Sequence, residues 1–73
     1  MTTIEKVIAI LAERTDRDTA EITRETAFAD LGIDSLDVTE MAMDVEDEFG
    51  IELELDASIT TVGALVDKIE ELL

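Results

Sequence analysis

Chemistry in this chain has to be done with oxygen. The 73 residues include no cysteine and no histidine. Thiolate nucleophiles, imidazole bases and the commonest metal ligands are therefore missing. Carboxylates are abundant, with 20 Asp and Glu against 5 Lys and Arg and a formal net charge of −15. Ser35 sits among them, in Leu31-Gly32-Ile33-Asp34-Ser35-Leu36-Asp37. It cannot activate itself. No Lys or Arg lies between Arg24 and Lys68, and the carboxylates of Asp34 and Asp37 oppose any negatively charged intermediate. By position alone Ser35 is an ordinary residue of a helix start.

The carboxylates are no better placed for catalysis. They are spread along helix faces, with no apolar pocket to raise one of them for acid–base work. The run Asp44-Val45-Glu46-Asp47-Glu48-Phe49-Gly50 invites a calcium-loop reading. Such a loop needs Gly at position 6 and Glu at position 12. Counted from Asp44, those positions hold Phe49 and Leu55, so no metal site is expected. The charge also disfavours nucleic acid and anionic membrane surfaces, and it favours basic protein partners.

The elements around Ser35 follow from periodicity. A chain of this length supports one domain, residues 1–73, around one core. With 47% hydrophobic residues in a regular pattern, it folds rather than staying disordered. Ile4, Val7, Ile8 and Leu11 recur at helical spacing and predict a helix from Thr3 to about Thr15, opened by a Thr2–Glu5 capping box. Residues 16–33 form a long loop, anchored by Ile22, Phe28, Leu31 and Ile33. A second helix runs from Ser35 to Phe49, with Asp34 as N-cap, Asp37 in the first turn and Gly50 as the left-handed stop. Its core stripe is Val38, Met41, Ala42, Val45 and Phe49.

Ile51 to Asp56 alternates like a strand, but one unpartnered strand is not stable, so an extended segment is expected. A helical turn near Asp56 to Ile59 and a last helix from Thr60 or Thr61 complete the chain. Val62, Leu65, Val66, Ile69 and Leu72 form the last core stripe, and Gly63 costs that helix about 1 kcal/mol. The expected fold is all-α: a small three- to four-helix bundle with a long first loop and a short or one-turn third helix.

One face of the second helix carries Asp37, Glu40, Asp44 and Asp47 at spacings of three or four. Leu36, Thr39 and Met43 flank it and are not needed by the core. The helix has no Lys or Arg, so its acids lack partners one turn away, an unrelieved cost that suits a basic partner surface.

Gly32-Ile33-Asp34-Ser35-Leu36 resembles the modification site of the acyl carrier protein family, with its Asp-Ser-Leu at the start of the second helix. Phe28-Ala29-Asp30-Leu31-Gly32, Glu46-Asp47-Glu48-Phe49-Gly50 and Ile59-Thr60-Thr61-Val62 resemble the flanking segments in the same order, across essentially the whole chain. The resemblance implies a carrier rather than an enzyme, with covalent 4'-phosphopantetheine from coenzyme A on Ser35, between Asp34 and Leu36. A phosphopantetheinyl transferase would attach it. Enzymes of fatty acid or polyketide synthesis would then exchange acyl thioesters with it, docking on Leu36, Asp37, Thr39, Glu40, Met43, Asp44 and Asp47. The acyl chain would be lined by Val38, Met41, Ala42, Val45, Val62 and Leu65. A cytoplasmic monomer is expected. No signal peptide is evident near the start, and the apolar patch Val7 to Ala12 is too short to cross a bilayer.

Three features depart from the commonest bacterial pattern. Val38-Thr39 reverses the usual order, the stretch Glu54 to Ile59 is short and lacks Pro, and the approach around Phe28 to Leu31 is about one residue short. Two rivals remain on sequence. One is a peptidyl or D-alanyl carrier using the same serine, and the other is an acidic helical interaction module with no prosthetic group.

Overall fold

A computed structural model describes residues 2–55 and 58–73. Three α-helices make the frame: α1 (Thr3–Thr15), α2 (Ser35–Phe49) and α3 (Val62–Leu72). Two 3-10 turns, Thr19–Glu21 and Phe28–Leu31, lie in the connection between α1 and α2. The all-α expectation holds, and the helix ends fall where their caps predicted. The expected turn near Asp56 to Ile59 rests on Asp56 and Ala57, which lie outside the described residues.

Local chemistry explains the ends. Thr2 caps α1 through its hydroxyl, and Glu5 reaches back to the Thr2 N–H at 3.0 Å. Asp16, at φ 56°, closes that helix in a left-handed conformation. Gly50 does the same for α2 at φ 67°, a region that costs L-residues about 1 kcal/mol or more.

The core is a single apolar cluster. Val7 and Leu11 of α1, Met41 and Val45 of α2, and Val62, Leu65 and Ile69 of α3 are fully buried. Helix α1 packs on both other helices. The loop anchors Ile22, Phe28 and Leu31 are buried as expected, and Ile33 is half-buried. Leu53 is buried between half-buried Ile51 and Leu55, so the alternating segment packs inward as a plain extended stretch. Leu72 departs from expectation. It is 42% exposed, because the last turn of α3 runs past the core.

The loop is held by backbone rather than by apolar area alone. Phe28 N–H donates to Thr60 O at 2.9 Å, Val62 N–H to Thr26 O at 3.0 Å, and Gly63 N–H to Arg24 O at 2.9 Å. An isolated antiparallel bridge pairs Ala27 with Thr61. Gly63 is therefore more than a weak helix residue. A Cβ there would sit 3.0 Å from Arg24 O, the carbonyl its own N–H needs.

Gly63→Ala is expected to lower stability by about 1 kcal/mol in urea denaturation, because the clash outweighs the helix-propensity gain of about 1 kcal/mol. A rise in the midpoint would show that the loop yields.

Glu5 gives a pH signature. Its hydrogen bond from the Thr2 N–H holds its carboxyl below the ordinary value of 4.5, and the Thr2 hydroxyl adds to the effect. A depressed folded-state value stabilises above the unfolded value and is lost as pH falls through the folded one. The stability gap between the wild type and Glu5→Ala should therefore narrow below about pH 4.5, measured as the difference in Tm across pH.

Candidate functional site

The site is built at the junction of loop and helix. The second 3-10 turn ends at Gly32, whose φ of 71° turns the chain. Ile33 half-buries against the core, and Asp34 is extended, with φ −93° and ψ −178°. Ser35 is then the first residue of α2 and is exposed. Among the described residues its hydroxyl has no hydrogen-bond partner, and the N–H groups of Ser35 and Leu36 have no acceptor. A free hydroxyl and two free amides at a positive helix end fit a covalently attached phosphodiester.

The neighbouring carboxylates are engaged in holding the helix. Asp34 Oδ1 accepts from Asp37 N–H at 3.0 Å, and Asp37 Oδ2 accepts more weakly from Asp34 N–H at 3.5 Å. Asp34 was expected as N-cap, but the reciprocal arm from Asp37 was not. Neither carboxylate is paired with the Ser35 hydroxyl. The chain has no imidazole or thiol, and no metal-binding cluster is found among the described residues.

Beyond Ser35, α2 presents an apolar strip. Leu36 is 66% exposed and Met43 is 59% exposed. Thr39 lies on the same side, and its hydroxyl donates to Ser35 O at 3.0 Å. Its polar group is thereby satisfied within the helix, which eases its place beside Leu36 and Met43. Asp47 is exposed, with no ion-pair partner among the described residues.

The acidic face is not as unrelieved as the sequence suggested. Arg14 of α1 reaches across to Asp44 at 2.9 Å through Nε and to Glu40 at 3.4 Å through Nη1. Lys6 pairs with Glu48 at 3.8 Å and lies 5.4 Å from the centre of the Phe49 ring, at the α2 end where a cation is favoured. The four acids expected to act together thus divide. Asp37 caps, Glu40 and Asp44 pair with Arg14, and Asp47 stands free. Sequence reasoning missed Arg14 and Lys6 because their partners are on another helix. The only available signal was that both lie on α1, near its two ends.

The residues expected to line an acyl chain meet in the core. Met41, Val45, Val62 and Leu65 are fully buried, Ala42 nearly so, and Val38 lies half-buried at the edge.

Residues 5–69 match the family model described as a phosphopantetheine attachment site. The chain belongs to this family. It is 44% identical over 71 residues to an acyl carrier protein of Streptococcus pyogenes serotype M1, covering 97% of this chain and 96% of the relative. An acyl carrier protein of Streptococcus pneumoniae serotype 4 is 41% identical with the same coverage. One from Lactococcus lactis is 39% identical over 70 residues, with 96% of each chain covered. Family membership makes the chain a carrier, not a catalyst, whose prosthetic group is covalent 4'-phosphopantetheine. It also implies a transferase that installs the group and synthesis enzymes that use it.

The capping geometry and the charge of Asp34 separate by substitution. Asp34→Ala should cost about 1 kcal/mol of stability, whereas Asp34→Asn should stay within about 0.5 kcal/mol of the wild type. Urea midpoints of the two variants check this, and equal losses would show that the charge matters to the fold.

Proposed function

We propose that Ser35 is the attachment point and that the chain serves fatty acid biosynthesis as a cytoplasmic, monomeric acyl carrier. The observation that carries this reading is the exposed Ser35 hydroxyl, free of hydrogen bonds among the described residues, at the start of a helix whose outer strip is Leu36 and Met43. A partner transferase supplies the base and magnesium: the Ser35 hydroxyl gives its proton to that base, its oxygen bonds to the pantetheine-side phosphorus of coenzyme A, and the pyrophosphate bond breaks to release adenosine 3',5'-bisphosphate. The attached arm ends in a thiol that holds acyl groups as thioesters.

The chain's own residues orient and present. Asp34 and Asp37 fix the first turn, so the hydroxyl leaves the surface in a defined direction. Leu36 and Met43 give partners an apolar contact, and Asp47 meets basic residues beside it. Val38, Met41, Ala42, Val45, Val62 and Leu65 are the candidate lining for a sheltered acyl chain, with Met41 the most adaptable of them. No described helix is long and apolar enough to cross a membrane. The acidic α2 favours acyl over peptidyl or D-alanyl carriage, and polyketide synthesis is the nearest alternative pathway.

The decisive experiment is intact mass after incubation with coenzyme A, magnesium and a broad-specificity phosphopantetheinyl transferase. A gain of one phosphopantetheine is expected, and none in Ser35→Ala. Leu36→Ser and Met43→Ser should slow loading about tenfold with little change in Tm, since each removes an exposed apolar contact of about 1–2 kcal/mol. No mass gain in folded wild type would sink the assignment of Ser35.

A further inference from the structure

The basic residues of this chain are few, and where they lie is informative. Arg24 pairs with Asp67 at 2.9 Å, and Lys6 sits at the far end of α2 from Ser35. Arg17 has no side-chain partner among the described residues. Arg14 is the cation that reaches the middle of the α2 acidic face. Its guanidinium spans Glu40 and Asp44, one helical turn apart, and only 29% of its side chain is exposed.

We propose that Arg14 is a specificity-determining residue: by pairing with Glu40 and Asp44 it withholds them from basic partners and directs docking to the Leu36, Met43 and Asp47 side of α2. The inference rests on α2 being the docking face. Both acids are about half exposed, so a partner's cation can reach them, but it must compete with a guanidinium already in place. The local charge there is −1 rather than −2. Asp47, with no such competitor among the described residues, keeps its full attraction. The groove beside the pair is open, lined by Ile10, Glu13, Arg14, Asp44 and Glu48. A cavity of about 240 Å³, lined by Arg14, Thr15, Leu31, Gly32, Ile33 and Asp37, also borders Arg14. Partners are thus ranked by where their cations lie as well as by how many they have.

A plain surface ion pair would have no such consequence, so the test must separate local pairing from net charge. Apo protein is titrated with a phosphopantetheinyl transferase at low salt, using Arg14→Gln, Asp44→Asn, the double variant and Arg17→Gln. Arg17→Gln makes the same change in net charge at a residue that is not part of the pair. Arg14→Gln should tighten binding about three- to tenfold and Arg17→Gln less than about twofold. Asp44→Asn should weaken binding less than about twofold in the wild type, but about threefold or more when Gln replaces Arg14. Arg14→Lys should fall between the wild type and Arg14→Gln, since a lysine cannot bridge both acids as a guanidinium does. Equal effects of Arg14→Gln and Arg17→Gln, or an additive cycle, overturn the role of Arg14. Loading of Ser35 is read by intact mass on the same samples. An additive cycle with normal loading sinks this inference alone, and wild type that neither binds nor loads sinks the docking reading with it.

Discussion

The structure depends on the buried N-terminus of α3. Val62 and Gly63 are buried, so their N–H groups cannot turn to water, and an unpaired buried donor costs about 1–3 kcal/mol. The loop after α1 supplies the acceptors, Thr26 O for Val62 and Arg24 O for Gly63, while the Thr61 hydroxyl takes the Ala64 N–H at 3.2 Å. That requirement fixes the path of the loop from Arg24 to Phe28. Phe28 and Leu31 then enter the core, Gly32 turns the chain, and Ser35 emerges at the head of α2. The position of the candidate site is set by hydrogen bonds made on another helix.

The starts of α2 and α3 show one backbone motif used in two ways. At α3 the first four N–H groups are all satisfied, two of them by the loop. At α2 the third and fourth are satisfied, by Asp34 Oδ1 and Asp34 O, and those of Ser35 and Leu36 are left open among the described residues. The open end is exposed, so water makes it tolerable, and the closed end is buried. An open helix end beside an unencumbered hydroxyl suits a carrier whose attachment chemistry is done by another protein.

What was legible in the sequence was local. Capping chemistry at Thr2, Asp34 and Gly50, and the apolar stripes between them, placed α1 and α2 correctly, because each signal acts within one or two turns. The Asp-Ser-Leu segment drew attention to Ser35 through its resemblance to a family motif, which is likewise contiguous in sequence. Non-local features were not legible. Gly63 read as a propensity cost because its close neighbour, Arg24 O, is 39 positions away in sequence. The Ala27–Thr61 bridge and the Arg14 pairs join segments that no short-range pattern relates. Leu72 fitted the helical period, but whether a turn is covered depends on where the rest of the core ends.

The surface charge and the core explain one another. Exposed ion pairs such as those of Arg14, Lys6 and Arg24 each contribute about 0–1 kcal/mol, too little to offset the self-repulsion of a chain at −15. Cohesion must come from apolar packing. No buried polar or charged residue interrupts that core among the described residues, so no desolvation penalty is set against it. A core that needs nothing from the surface leaves the surface free to be patterned for encounter. Two of the five basic residues, Lys6 and Arg14, lie against α2. They moderate its acidic face without erasing it.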